Sequence, residues 1–301
     1  MDIKQLEYFI SIAKHNNFTA AAQEFYVSQP SVSHQIKNLE QELNTELLRR
    51  NTRRVELTEA GEIFLEDARR IISILENSKR KIHHNREKLL EVRIGYLASP
   101  TKNFLPQILS IFHEKHPDVK VRLSHKNATQ IINDARNDVC DIYCSLTEDM
   151  KQIPGLCVKS IQTDHYCLVT PKDHPVLQQM MIDYSKLANE PFIVMKPTLA
   201  ATMYRQILEI CQQLGFSPRI IKTCDLYEEI LYSIESGIGV SIMPYRTKGY
   251  MNNNLAYTLL DASQLSISTS LAWKEDSENL AVELFLDVCK TYIQEHPDDF
   301  L

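Results

Sequence analysis

Residues 19–43 read TAAAQEFYVSQPSVSHQIKNLEQEL, and this stretch decides the fold of the N-terminal part of the chain. Thr19 is placed to cap a short helix whose run of alanines lets another helix approach closely. Ser28 is placed to cap the next helix, and Pro30 falls in its first turn, where the missing N–H costs nothing. An earlier amphipathic helix that ends near residues 15–17 is predicted by the spacing of Leu6, Phe9, Ile10 and Ala13. The pattern therefore predicts three short helices joined by tight turns.

The third of these helices has an apolar side and a polar side. Its buried side is predicted by the four-three-four spacing of Val32, Ile36, Leu39 and Leu43. Small or polar residues lie at its N-terminus and along its other side, and these are Ser28, Gln29, Pro30, Ser31, Ser33, His34 and Lys37. Such a helix can enter the major groove of DNA, read base edges and offer free backbone N–H groups to phosphates. A surface helix with a polar cap would show a similar pattern in isolation.

A basic cluster follows this helix. The segment LLRRNTRRVELT alternates across an Asn-Thr turn like a β-hairpin with Arg50, Arg53 and Arg54 at its tip. The whole chain carries a net charge of −6, whereas residues 1–90 hold 14 Lys+Arg against 13 Asp+Glu. A basic cluster on an acidic protein suggests a polyanion contact at one end, although the cluster alone would also fit a solvated loop. Together the polar helix and the basic hairpin predict a winged helix-turn-helix domain over residues 1–58.

The stretch from Leu6 to Gly61, with FTAAAQEFYVSQPSVSHQIKNLEQEL followed by LLRR and RRVELTEAG, resembles the DNA-binding domain of LysR-type transcriptional regulators. Two positions depart from the family pattern, because Asn44 stands where Gly is usual and Leu48 where Phe is usual. Both residues are compatible with the fold. The resemblance implies double-stranded DNA with an interrupted palindromic operator as a partner. It implies contacts from Gln29, Pro30, Ser31, Ser33, His34 and Lys37 in the recognition helix, and from Arg50, Arg53 and Arg54 in the wing.

Residues 59–90 predict a long helix that Thr58 caps. A heptad seam runs along it through Phe64, Ala68, Ile71, Leu75, Ser78 and Ile82. A seam of this regularity usually faces another helix, and the alternative is that it packs against the effector domain of its own chain. In LysR-type regulators the corresponding helix pairs two subunits, so the resemblance implies a homodimer through the linker helix and, by analogy, a homotetramer. RNA polymerase is a further candidate partner.

From residue 92 the pattern changes to alternating strands and helices, which predicts an α/β fold with parallel βαβ units. A second set of alternating elements begins near HYCLVT at residues 165–170. The resemblance implies a two-lobed effector-binding domain like that of periplasmic binding proteins, crossed twice by the chain. We expect lobe I to comprise residues 91–162 and 266–301, and lobe II residues 163–265.

Polar residues follow several of the predicted strands, where α/β sheets bind their ligands. The candidate effector-binding residues are Ser99, Thr101, Asn127, Thr129, Ser145, Lys196, Thr198 and Thr202. Hydroxyls, backbone N–H groups and one lysine would suit a small anion such as a carboxylate. Plain helix capping would explain Thr129 and Thr202 equally well. No cofactor or metal site is predicted, and the identity of the small-molecule effector does not follow from the resemblance.

Other functions fit the sequence less well. The chain contains no P-loop, GxGxxG, HExxH or GxSxG motif, so we do not expect an enzyme. No apolar run approaches the length of a membrane span and the N-terminus does not resemble a signal peptide, which predicts a cytoplasmic protein that makes no membrane contact. A thiol redox sensor on the same architecture is the closest alternative. It would require two cysteines that approach each other after oxidation. Cys211 and Cys224 both lie in the second lobe, although Cys211 falls within an apolar helical pattern. The other cysteines are Cys140, Cys144, Cys157, Cys167 and Cys289.

Overall fold

The structure is a computed structural model that describes residues 1–51, 54–83, 90–178, 182–250, 254–260 and 266–297. The chain forms two compact units. The first comprises residues 1–88 with residues 137–139, and the second comprises residues 89–136 with residues 140–301. The described residues form one apolar core in the first unit and two in the second.

The first unit is built of helices and one hairpin. Its elements are α1 (Ile3–His15), α2 (Phe18–Glu24), α3 (Gln29–Leu43), β1 (Leu48–Asn51), β2 (Arg54–Leu57) and α4 (Glu59–His83). Most of the apolar residues that the spacing predicts to be internal are buried, namely Leu6, Phe9, Val32, Ile36 and Leu39. The other three, Ile10, Ala13 and Leu43, are half-buried. The antiparallel register pairs Leu48 with Leu57 and Asn51 with Arg54. The three predicted helices and the hairpin are therefore confirmed.

Local hydrogen bonds set the ends of these helices. Ser28 caps α3 as predicted, because its Oγ accepts a hydrogen bond from the Ser31 N–H at 3.4 Å. Asn44 ends α3 in the left-handed conformation, with φ 49°. The prediction that Thr19 caps α2 is wrong: Asn17 is the cap, and its side-chain oxygen accepts from the Thr19 N–H at 2.7 Å. Asn17 takes this role because its backbone is already extended there, which turns its side chain toward the first free N–H groups.

Helix α4 has two apolar sides. Ala68 is fully buried, and the Phe64 ring lies 5.5 Å from the Phe9 ring, centroid to centroid, in the core of the first unit. Ile63, Ile71 and Ile74 are 65%, 39% and 61% exposed. The first two positions of the predicted heptad seam, Phe64 and Ala68, therefore pack on their own domain. Ile71, the third position of the seam, is exposed and forms a stripe with its neighbours Ile63 and Ile74, which we call the isoleucine stripe. Further along the seam Leu75 is half-buried and Ser78 is exposed, and the side chain of Ile82 lies outside the described residues.

The second unit is a mixed α/β domain. Its strands are β3 (Glu91–Tyr96), β4 (Lys120–His125), β5 (Ile142–Leu146), β6 (Leu156–Pro171), β7 (Pro191–Met195), β8 (Arg219–Cys224), β9 (Ser241–Pro244), β10 (Leu255–Leu259) and β11 (Ser266–Lys274). Its helices are α5 (Ala98–Thr101), α6 (Leu105–Lys115), α7 (Ala128–Arg136), α8 (Thr147–Lys151), α9 (Tyr184–Leu187), α10 (Ala201–Gln213), α11 (Tyr227–Glu235) and α12 (Leu280–Glu295). Strand β3 pairs in parallel with β4 and β5, and β7 pairs in parallel with β8, as the alternating pattern predicts.

One long strand connects the two lobes of this unit. Strand β6 pairs with β11 as far as His165 and with β9 and β10 from Tyr166 onward. The largest sheet consequently has the order β10-β6-β11-β5-β3-β4, with β9 also on β6. One apolar core surrounds Phe112 and Phe285 in lobe I, and another surrounds Phe192 and Ile242 in lobe II. The expected lobe boundary at residues 162 and 163 falls within β6.

Candidate functional site

The N-terminal unit presents a polar surface at the start of α3. Residues 26–31 are exposed without interruption, and the side chains of His34 and Lys37 are exposed one and two turns further along the helix. Ser33 is half-buried. Because Val32, Ile36 and Leu39 are fully buried on the opposite side, α3 is held by its apolar face and offers its polar face to solvent. The candidate DNA contacts in α3, which run from Ser28 to Lys37, therefore share one surface.

The structure describes the backbone of the two wing strands. Arg50 pairs with Val55, and Arg54 pairs with Asn51, in the register of the hairpin. Arg53 lies outside the described residues, and so do the side chains of Arg50 and Arg54. The predicted roles of these three arginines consequently remain predictions.

Two threonines link lobe I and lobe II. The Thr129 hydroxyl donates to the Thr198 carbonyl oxygen at 2.8 Å, and the Thr202 hydroxyl donates to Asp149 Oδ1 at 2.5 Å. Neither hydroxyl caps a helix. Asn127 caps α7 instead, since its Oδ1 accepts from the Gln130 N–H at 2.9 Å. The alternative of plain capping therefore fails for Thr129 and Thr202, and it holds for Asn127.

The remaining candidate effector residues have varied surroundings. The Thr101 hydroxyl is buried and donates to the Leu97 carbonyl at 2.6 Å within its own helical turn. Lys196 pairs with Asp225, with 2.5 Å between Nζ and Oδ1. Ser99 is half-buried and Thr198 is exposed. Ser145 is fully buried, and its hydroxyl has no hydrogen-bond partner within the described part of the chain.

Helices α8 and α10 form the main polar contact between the lobes. Glu148 pairs with Arg205, and its other oxygen accepts from Gln206 Nε2 at 3.0 Å. Gln206 in turn accepts from the Tyr166 hydroxyl at 2.6 Å. Asp149 beside Glu148 is 2% exposed, and burial raises the pKa of its carboxyl although the Thr202 hydrogen bond lowers it. We call this set of contacts the α8–α10 latch.

A cleft of about 240 Å³ opens beside the latch, at the carboxyl end of β5. Both lobes contribute to its lining, which consists of Leu146, Thr147, Glu148, Lys151, Thr202, Gln206, Ser266, Ile267 and Ser268. Thr202 is the member of this set that the sequence predicts. The others were missed because α8 was not expected, and because nothing in the sequence indicates that β11 begins next to α10. A hydroxyl directly after a strand, as in Thr147, is the one signal that would have pointed to the cleft.

The cysteines are poorly placed for redox chemistry. All seven are free thiols, and six of them are buried, with Cys157 half-buried. Burial raises the pKa of Cys140 to about 11 and the pKa values of Cys144 and Cys211 to about 12. It also raises the pKa values of Cys167, Cys224 and Cys289. Because the thiolate is the reactive form, these environments argue against the thiol-sensor alternative.

Two further features follow from the described ranges. No helix within the described residues has the length and apolar character needed to cross a membrane. Within the same ranges, no three His, Cys, Asp or Glu side chains cluster in a way that could hold a metal ion.

Comparison with known proteins identifies both units. Residues 3–62 match the family model of the bacterial regulatory helix-turn-helix protein of the lysR family, and residues 86–294 match the LysR substrate binding domain. The chain is 30% identical over 292 residues to the HTH-type transcriptional regulator AlsR of Bacillus subtilis, covering 96% of this chain and 95% of that protein. It is 28% identical over 292 residues to the Hca operon transcriptional activator HcaR of Escherichia coli, covering 96% and 97%.

Solved structures show the same fold. The LysR family transcriptional regulator CbnR superposes with a TM-score of 0.68 at 22% identity, covering 97% of this chain and 99% of that chain. Full-length CbnR complexed with its target DNA gives a TM-score of 0.66 at 23% identity, covering 97% and 100%. The arrangement of a winged helix-turn-helix, a long helix and a two-lobed α/β domain thus agrees with the matches along the chain. The protein belongs to the LysR family of DNA-binding transcriptional regulators and is not an enzyme.

Proposed function

We propose that a small anionic effector binds in the cleft beside the α8–α10 latch and thereby changes how the regulator binds its operator. The observation that carries this proposal is Thr147. It is 6% exposed and lines the cleft, and its hydroxyl has no hydrogen-bond partner among the described residues. A buried hydroxyl without a hydrogen-bond partner gains a hydrogen bond when a ligand with a polar group binds in the cleft.

The lining of the cleft supports an anionic ligand. Lys151 supplies a positive charge at the rim, and Ser266 and Ser268 supply hydroxyls on the opposite strand. Lys196, by contrast, is already paired with Asp225 and would have to leave that carboxylate to bind an anion. Among the candidate residues we therefore place Thr202 nearest the effector, together with Thr147 and Lys151. Ser99, Thr101, Asn127 and Thr129 become positioning residues in this proposal.

In this proposal, effector binding alters the arrangement of the lobes through the α8–α10 latch. Thr147, Glu148 and Asp149 are consecutive, so a ligand held by Thr147 lies beside both carboxylates that contact α10. A ligand shifts a conformational equilibrium only by its difference in affinity for the two arrangements. An anion at Thr147 would repel Glu148 and Asp149, which favours an arrangement of the lobes in which these contacts are altered.

The DNA-binding form in this proposal is a homodimer joined through α4 and, by family analogy, a homotetramer. The isoleucine stripe supports the dimer, because exposed isoleucines on one side of a long helix gain stability when a second helix covers them. A two-fold symmetric dimer places two copies of α3 on two half-sites, which gives an interrupted palindrome. RNA polymerase remains a proposed partner.

The proposal is tested first by selecting the fragments of the source genome that the purified protein binds, at one fixed near-physiological salt concentration. Enrichment of an interrupted palindrome supports the dimeric operator, and the neighbouring genes nominate effectors for titration. Uniform binding without a preferred site would contradict the palindromic operator.

The effector site is tested with a pair of matched variants of the full-length protein. Thr147→Val keeps the shape of the side chain and removes the hydroxyl, so we expect operator binding to be retained and the response to the effector to weaken about tenfold. Lys37→Ala should do the reverse, weakening operator binding while the effector still binds. Equal loss of both activities in either variant would show that the two sites are not separate.

A further inference from the structure

The backbone at Tyr26 has a conformation that this residue type rarely adopts. Helix α2 ends in a Schellman motif, in which the Tyr26 N–H donates to the Gln23 carbonyl at 3.2 Å and the Val27 N–H donates to the Ala22 carbonyl at 3.0 Å. Tyr26 occupies the left-handed position of this motif, with φ 55°. Glycine is the usual residue there because it has no β-carbon.

The other residues with positive φ make Tyr26 exceptional. Among the described residues, the non-glycine positions with positive φ are Asn16, Asn44, Asp138 and Tyr26. Asn and Asp tolerate this conformation because their short polar side chains can hydrogen-bond locally. A tyrosine has no such compensation, so its backbone is less stable than that of a glycine at the same position.

The side chain gains nothing from packing within the folded chain. Tyr26 is 97% exposed, the highest value among the large apolar residues that the structure describes. An aromatic ring in water forgoes the free energy that burial would supply. Both the backbone and the ring of Tyr26 are therefore unfavourable in the isolated protein, and the benefit of this side chain must come from a partner.

The position of Tyr26 identifies that partner. It lies two residues before Ser28, the cap of the recognition helix, and begins the exposed run of residues 26–31. When the N-terminus of a recognition helix enters the major groove, the chain just before it faces the phosphates that border the groove. Tyrosine suits this boundary, because its hydroxyl donates a hydrogen bond and its ring covers apolar sugar atoms.

We propose that Tyr26 is a DNA-backbone contact, whose hydroxyl donates to a phosphate oxygen while its ring packs against the neighbouring deoxyribose. The contact adds affinity and fixes the register of α3 in the groove, and it carries no sequence information of its own. It adds a neutral contact to the charged contacts expected from Lys37 and the wing.

The test compares Tyr26→Gly and Tyr26→Phe in the full-length protein. The probes are a labelled duplex of arbitrary sequence and the operator fragment recovered by genomic selection, and thermal unfolding is measured in parallel. Tyr26→Gly relieves the strained backbone, so its unfolding midpoint should equal or exceed that of the wild type while its affinity for both duplexes falls about tenfold. Tyr26→Phe keeps the ring and loses the hydroxyl, so its affinity should fall about threefold.

Two controls separate a DNA contact from a structural role. Tyr232→Phe alters a 58%-exposed tyrosine of the second unit and should leave DNA affinity unchanged. Lys37→Ala should reduce the slope of log affinity against log salt by about 1, whereas Tyr26→Gly should leave this slope unchanged because tyrosine releases no counterion. Unchanged affinity in Tyr26→Gly would overturn the proposal. Weaker binding accompanied by a lower unfolding midpoint would also overturn it, since the loss would then be structural.

Discussion

Asp149 shows how one buried residue sets the polar character of the junction between the lobes. Its Oδ1 accepts from Thr202, whereas its Oδ2 is buried without a hydrogen-bond partner in the described ranges. Burial disfavours the charged carboxylate, so the pKa of Asp149 in the folded protein lies above its ordinary value of 3.8. The folded state therefore binds this proton more tightly than the unfolded state does, and stability decreases as the pH rises from about 3.8 through the folded pKa.

We expect Asp149→Asn to be more stable than the wild type at neutral pH, because the amide keeps the Thr202 hydrogen bond and carries no charge to desolvate. The difference should shrink as the pH falls through the folded pKa and below 3.8, because the wild-type carboxyl then becomes protonated in both the folded and the unfolded state. The measurement is the midpoint of unfolding of both proteins across a pH series. Asp183→Asn is the matched control. Asp183 is the exposed N-cap of α9, and hydrogen bonds from Ser185 lower the pKa of its carboxyl. The stability difference between this variant and the wild type should therefore depend on pH with the opposite sign. A stability difference independent of pH would contradict the prediction.

At the scale of elements, the start of α4 is held against the segment that precedes the hairpin. A β-carbon on Gly61 would lie 2.1 Å from the Leu47 carbonyl oxygen, which is backbone and cannot rotate away. The Gly61 N–H donates to the Thr58 hydroxyl at 2.9 Å, so the same residue also completes the cap of α4. Glycine is therefore required here for the close approach of two elements, although its φ is not left-handed.

Gly61→Ala should destabilise the N-terminal unit by about 1–3 kcal/mol, because α4 must move away from Leu47 to admit the methyl group. DNA binding should weaken with it, since α4 packs on the core that holds α3. Thermal unfolding and binding to a duplex would measure the two effects. Gly155→Ala serves as the control: its β-carbon would meet nothing within 4 Å, so any loss there comes from its left-handed φ of 76° and should spare DNA binding. Full stability of Gly61→Ala would show that the contact with Leu47 is not tight.

At the scale of the whole molecule, α4 divides its apolar residues between its own core and the isoleucine stripe, which in the proposed dimer faces a second copy. Phe64 contributes to the first and Ile74 to the second. Strand β6 has a comparable double role, because its two halves pair with strands of different lobes. In both cases one continuous element contributes residues to two different surroundings.

Ile74→Asp should dissociate the dimer without unfolding the chain, since Ile74 is 61% exposed and a charge would be desolvated only at the subunit interface. Sedimentation velocity at several protein concentrations would measure the change. Phe64→Ala is the contrasting variant, which should lower stability by about 3 kcal/mol through loss of its core contacts while the isoleucine stripe remains intact. An unchanged sedimentation profile for Ile74→Asp would show that the stripe is not the dimer interface.

The sequence by itself determined the features that depend on neighbours along the chain. The recognition helix with its Ser28 cap, the left-handed stop at Asn44, the hairpin and the alternating strands and helices all follow from local spacing and capping chemistry. These interactions span a few residues, so the sequence pattern contains both partners.

Only the tertiary structure decided which of several local options each side chain takes. Thr129 and Thr202 both stand near helix starts, yet their hydroxyls bond to Thr198 and Asp149 on the other lobe. The same holds for Phe64 and Ala68, whose heptad spacing fits a partner helix equally well but which pack on their own domain. The physical reason is that burial and long-range hydrogen bonds depend on which elements come together in the folded chain. Helical periodicity shows which residues share a face of a helix, but it does not determine which element packs against that face.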